Sequence, residues 1–394
     1  MKERLYIALG DLDSAVKELE NLIDAFPNTV RYKAMLAELY QANNFASKAL
    51  QIYKDILDQD PTDPRANIAL AEHYRIANDF VKAFKYLNYC FDDLSFNVEM
   101  KFQILVSYFQ LAITEEAYLT SLYALLDKAI EHHPNEASFY ALYGDIYYQK
   151  NEVVKAYNSY SMSLELGATE YLIWNRSLIM GLELQKYTEV ITKGNKAIAL
   201  NPIQPMLYLF TGLAYSINNE QEKAVLLLNK GVNYVVNNRP LKAEFYNYLG
   251  DAHHSVNQHK LSDENYEKSL ALIPENPIVL NNYSYYLSLR ASDLEKAERL
   301  SKQCNDLKPK VASYQDTYGW ILYKLGRFTE AKEWLYKSVE NSKYQSSEIL
   351  EHYADALFMN GEKDEALKFW EKAISLGGNS PLLLKKASEG ILYE

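Results

Sequence analysis

A chain of 394 residues that is 48% hydrophobic and 24% charged has ample apolar material for a core, which excludes long disordered spans. Its formal net charge of −11, from 41 basic and 52 acidic residues, argues against a surface built to neutralise phosphates, so nucleic acid is not the expected partner. Two cysteines are too few for a disulfide framework, and there is neither an apolar run of about 18 residues nor a secretory leader at Met1.

Read from its start, the chain opens partway through the first helix of a helical hairpin. This predicts either a half-unit or a piece of a longer protein whose earlier part held more repeats or a targeting signal, and the second reading is preferred. From there a mostly small residue opens the second helix of each successive hairpin: Ala15, Ala49, Ala83, Leu122, Ala156, Val190, Ala224, Ser262, Ala297, Ala331 and Ala366. The interval is 34 residues or close to it, except for 39 before Leu122 and 38 before Ser262. Those two steps place insertions near residues 113–117 and 233–240. Seven positions after each marker, nine of the eleven residues are small, and this position was not used to set the register. Twelve positions after it, Pro27, Pro61, Pro134, Pro202, Pro274 and Pro309 lack the N–H that a continuing helix needs, and so they end one hairpin and begin the next. Twelve positions before it, Ala37, Ala71, Gly144, Gly212, Gly250, Gly319 and Ala354 allow the two helices of a hairpin to approach closely. Cys90 and Cys304 share the small slot, six units apart, beyond the Cα separation of about 7 Å that a disulfide spans. They are expected as small buried side chains. Gly194 and Ser301 stand where large residues are expected, which predicts looser seams there.

The clearest unit runs from Tyr318 to Val339, where apolar residues at helical spacing stop at Gly326 and resume at Phe328. This pattern resembles the tetratricopeptide repeat, a helical hairpin of about 34 residues. The resemblance implies an all-α, right-handed superhelical solenoid of about eleven helix-turn-helix repeats over residues 1–378, with the first repeat incomplete. Residues 379–394, opened by Ser380-Pro381, are expected as a C-terminal capping helix that covers the last apolar face.

No phosphate-cradling glycine loop, His-Glu-x-x-His, Cys-x-x-Cys or Gly-x-Ser-x-Gly is present, so the chain reads as non-enzymatic, with no cofactor, metal or catalytic residue. The densest polar cluster is Asp251, His253, His254 and His259. By register His253 takes a core position, and only Asp251 and His254 share an open face, too few for a metal.

The solenoid resemblance implies a scaffold that binds partner protein or peptide segments along the concave face formed by first helices. On that face Leu172, Ile179, Leu182, Met206, Leu209 and Leu213 form an apolar patch, unless neighbouring units close over some of them. Further on, Asn247, Asp251, Asn281, Tyr285, Asp316, Trp320, Tyr323, Glu351 and Asp355 interleave amides, carboxylates and aromatics. Asn side chains can hold a peptide backbone and aromatic faces can take apolar or cationic groups, so this end is expected to prefer neutral or basic segments. Chaperone-binding relatives grip a terminal carboxylate with lysines beside asparagines. Here acidic and aromatic residues replace those lysines, so that clamp is not expected. A second resemblance, carried by Asn281-Asn282-Tyr283 through Trp320 and by His352 to Gly378, is to bacterial repeat proteins that are often envelope lipoproteins. It implies an accessory role in envelope assembly or secretion, in the periplasm if an upstream signal exists and in the cytoplasm otherwise. An RNA-binding helical repeat is the third reading, disfavoured by the charge.

Overall fold

The computed structural model describes residue 6 and residues 11–113, 115–343 and 346–393. Among these residues there are 22 α-helices and no strand. After the second helix of the first hairpin, Leu12–Ala25, come ten complete hairpins, beginning with Val30–Ala42 and Ala46–Gln59 and ending with Ser347–Met359 and Lys363–Ser375. A last helix, Pro381–Glu389, follows them. Two compact units are distinguished, Met1–Met180 and Gly181–Glu394.

Eight of the turns inside the hairpins share one device. Asn44, Asn78, Asn151, Gln185, Asn219 and Asn257 adopt a positive φ, and Gly326 and Gly361 do so at the equivalent place. The left-handed conformation ends the first helix and aims the chain back along it, and Asn and Gly are the residues that tolerate it best. Between hairpins, proline occupies the first helical turn at Pro64, Pro205, Pro277 and Pro381, where its missing N–H costs nothing.

Every described marker residue is buried, as is every described residue seven positions later except Leu22. The later slot has a second use. Ser163 Oγ donates to the Ala137 carbonyl at 2.8 Å, Ser269 Oγ to Ala243 at 2.7 Å and Ser338 Oγ to Ala312 at 2.7 Å. Each hydroxyl thus tethers the second helix to the start of its own first helix while satisfying itself in an apolar setting. Cys304 Sγ makes the same contact with Pro277 at 3.1 Å, and both cysteines are buried and free, with burial pushing each thiol up to about 12. At Gly194 the expected slack is absent. Thr211 fills the space so closely that a Cβ there would collide with it.

The first long interval is absorbed by helix, and the second by helix together with a longer connection, residues 233–238. Val98–Ala112 and Glu116–His132 have 15 and 17 residues, against 13 and 14 in the hairpin Val30–Gln59. Arg239–Ser255 also has 17, with its extra turn at the N-terminal end, where Asn238 caps the Leu241 N–H at 3.0 Å. In the second unit the first helices Arg239–Ser255, Pro277–Leu289, Ala312–Lys324 and Ser347–Met359 pack side by side in succession, and they build the face on which the site residues lie.

Candidate binding face of the second unit

The two groups of sequence-predicted residues fare differently. Of the apolar group only Leu172 is exposed. Ile179, Leu182, Met206 and Leu213 are half-buried, and Leu209 is closed off. Leu172 lines a cleft of about 540 Å³ in the first unit, together with Phe102, Glu136, Ser138, Asp145 and Arg176.

Of the polar group, Asp251, Asn281, Tyr285, Trp320 and Glu351 keep partial solvent access, whereas Asn247, Asp316, Tyr323 and Asp355 are buried. Most are held by other side chains. Tyr285 Oη donates to Glu348 at 2.6 Å. Asp316 accepts from His352 Nδ1 at 3.0 Å, and the His352 ring stacks on Trp320 with centroids 4.1 Å apart. Tyr323 stacks on the same indole at 4.8 Å, and Lys324 Nζ lies 4.5 Å from its centroid. The aromatic surface that the sequence offers to a partner is therefore engaged by the chain itself. Burial alone would lower the His352 pKa. The charges of Asp316, Glu348 and Asp355 outweigh it, so the imidazolium is favoured and the pKa is raised.

The expectation that Asp251 and His254 lie open on one face is corrected. His254 stacks on Tyr286 at 3.8 Å, and burial, with Arg290 nearby, lowers its pKa to about 4. His253 is buried as expected, with Nδ1 2.7 Å from Gln258 Oε1. Asp251 accepts from Tyr266 Oη at 2.5 Å and from Asn282 Nδ2 at 3.4 Å. Burial raises its pKa to about 6, against hydrogen bonds from Tyr266, Asn282 and Tyr286 that work the other way. Among the described residues no group of three or more His, Cys, Asp or Glu is placed to hold a metal.

Among the described residues, four atoms on these first helices lack what the rest have, one of them His254 Nδ1. Asn247 Oδ1, Asn281 Oδ1 and Trp320 Nε1 are buried with no hydrogen-bond partner, and they stand on three successive first helices. An amide oxygen or indole N–H withdrawn from water and left unpaired costs about 1–3 kcal/mol, a penalty that an incoming polar backbone would relieve.

A recurring arrangement escaped the reading by register. A small residue followed by aspartate, at Gly144-Asp145, Gly250-Asp251 and Ala354-Asp355, is answered by an aromatic donor 15 residues on and a polar side chain 31 residues on. Tyr160 Oη donates to Asp145 at 2.7 Å and Trp370 Nε1 to Asp355 at 2.8 Å, matching Tyr266 on Asp251. Arg176 pairs with Asp145, and Lys386 reaches Asp355 at 2.7 Å and Glu351 at 3.0 Å. The glycine is needed because the aromatic ring crosses it: a Cβ at Gly144 would strike Tyr160, and one at Gly250 would strike Tyr266. The spacings of 15 and 31 were legible in the sequence, but a register built on apolar and small positions does not look for carboxylates.

The fold and its neighbours agree. Residues 239–377, and residues 4–64 and 34–89, match descriptions of the tetratricopeptide repeat. The Type IV pilus assembly protein PilF of Pseudomonas aeruginosa is 28% identical over 174 residues, which are 44% of this chain and 67% of that protein. A TPR repeat-containing protein of the same organism is 26% identical over 159 residues, 38% of this chain and 24% of that protein. The match therefore spans about two thirds of the first relative and a quarter of the second. Among solved structures, the APC/C hetero-tetramer Cut9-Hcn1 superposes with a TM-score of 0.53 at 14% identity, over 99% of this chain and 88% of that one. A tetratricopeptide repeat protein from Parabacteroides merdae gives 0.53 at 14%, over 65% and 98%.

Proposed function

This chain belongs to the tetratricopeptide repeat family, and we propose that it is a non-enzymatic scaffold that holds an extended segment of a partner protein along the first helices of its second unit. One observation carries the reading: the unpaired Asn247 Oδ1, Asn281 Oδ1 and Trp320 Nε1 follow one another on adjacent helices. A peptide backbone presents an N–H and a C=O at every residue and can answer both kinds of atom. Tyr285, Asp316, Tyr323, Glu351 and Asp355 then act as the supporting wall, since their side chains are engaged within the chain.

The test is quantitative capture of partners from a native extract with the wild type and with Asn247→Ala, Asn281→Ala and Trp320→Ala. A partner held on this face is expected to bind Trp320→Ala more weakly by about 2 kcal/mol, in the range of an interface anchor. Unchanged affinity in all three variants removes the face from function.

A second reading is favoured by the PilF likeness: a role in assembling a cell-envelope machine. Leu172 and Ile179 in the first unit would then supply one further contact, and Leu182, Met206 and Leu213 in the second another, with Leu209 supporting these from the core. Deletion in the native organism, scored for envelope appendages and secretion, is expected to give an assembly defect, and normal appendages and secretion would end this reading. Among the described residues no helix is long and apolar enough to cross a membrane.

A further inference from the structure

We propose that Asp251 is the receptor for a cationic side chain, lysine or arginine, carried by the partner segment. This rests on the groove reading above and names the chemistry that the groove selects. The structure contains its own controls. In two of the three aspartate arrangements the carboxylate meets a cation from the first helix of the following hairpin or from the last helix, 31 residues on: Arg176 for Asp145 and Lys386 for Asp355. In the third the same place holds Asn282, a neutral amide at the long distance of 3.4 Å. Every other part is kept, from the small residue before the aspartate to the aromatic donor at 2.5 Å, and Tyr286 adds a further neutral hydrogen bond. Arg290, a nearby cation, is committed elsewhere, to Asp263 at 2.7 Å and to the Tyr286 carbonyl at 3.0 Å. Asp251 has no ion-pair partner among the described residues, and it keeps solvent access that Asp355 has lost.

Two amide oxygens on these helices lack a donor. Asn247, one turn before Asp251 on the same helix, is 8% exposed and its Oδ1 is unpaired. The Oδ1 of Asn281, beside Asn282, is also unpaired. An ammonium brings three donors and a guanidinium five, and neither has an acceptor to leave unsatisfied. An anion would add acceptors where there are already too many, beside a carboxylate. Glu244, an exposed carboxylate on the same helix, adds to the negative charge of this end. The carboxyl of Asp251, itself held high by burial without a counter-charge, fits the same imbalance.

The experiment uses the full chain and two capped pentapeptides, Gly-Leu-Lys-Leu-Gly and its counterpart with norleucine for lysine, which differ only in the ammonium. The Asp251 carboxyl is followed by carbon NMR across pH. The lysine peptide is expected to lower the Asp251 titration midpoint and to bind at least about tenfold tighter than the norleucine peptide, the scale of one charge-assisted contact. Asn282→Arg supplies the missing cation from within the chain. It should lower the same midpoint without peptide and abolish the preference for lysine, and Asn282→Lys serves if the arginine variant fails to fold. Equal effects of the two peptides, no effect of the lysine peptide, or an unmoved midpoint in the folded variants each overturn the proposal. If both peptides bind equally the groove reading stands and only the cation site falls, whereas the groove reading itself fails through the alanine variants above.

Discussion

Asp145 in the first unit and Asp251 in the second have the same local frame, glycine before and tyrosine 15 residues on, yet opposite electrostatic situations. Asp145 lies against Arg176, whose guanidinium also meets Tyr160 Oη at 3.2 Å. Asp251 has the tyrosine but an amide in the cation's place. The scaffold thus tolerates a charge that it does not neutralise. Hydrogen bonds from Tyr266, Asn282 and Tyr286 account for the carboxylate's place, and the missing counter-charge is what the proposed cation would supply.

Four experiments would break or sharpen this contrast. The largest effect is expected at the third arrangement, where pairing is complete and Asp355 is 2% exposed. Lys386→Met leaves that carboxylate buried and unpaired and should cost about 3–5 kcal/mol in denaturant unfolding. A loss below about 1 kcal/mol would mean that Lys386 does not hold the last helix through this pair.

Next is the sign difference between the two glycine-framed sites. The folded pKa of Asp251, about 6, lies above its unfolded value of 3.8. Its stabilising contribution is therefore full below about pH 4 and lost as pH rises through about 6, a swing of about 2–3 kcal/mol. Asp251→Asn removes that loss. It should match the wild type at pH 4 and exceed it at pH 8. Asp145→Asn should instead weaken the chain at neutral pH by about 1 kcal/mol, since it strands a half-exposed arginine. Variants that shift stability in the same direction at neutral pH would erase the distinction.

Gly250→Ala follows, at about 1–3 kcal/mol, because the new Cβ meets the Tyr266 ring at 2.7 Å. A melting temperature equal to that of the wild type would show that the ring moves aside freely. The smallest effect is that of His352. Its raised pKa means that its contribution is present below the ordinary histidine value and fades as pH rises through the higher folded value. His352→Gln should flatten that slope, and an unaltered pH profile would show that Asp316 does not hold the charge.

Much of the architecture was legible because it is local. A hairpin needs a small residue where its helices cross, a left-handed residue at its turn and a stop before the next unit. Ala331, Gly326 and Pro309 each supply one of these within 34 residues. The face on which a side chain ends up is less local. Successive residues are 100° apart around a helix, so Tyr323 and Leu209 needed only a small rotation to pass from groove to core.

The sequence by itself determined the period, the hairpins and their turns, since these follow from steric rules that act within one unit and repeat. Only the tertiary structure decided which carboxylate meets a cation. Asp145 and Arg176, or Asp355 and Lys386, belong to different helical units, and their contact exists once those units pack. Desolvation and charge pairing depend on that packing, and so the exception at Asp251 became visible only beside its two completed counterparts.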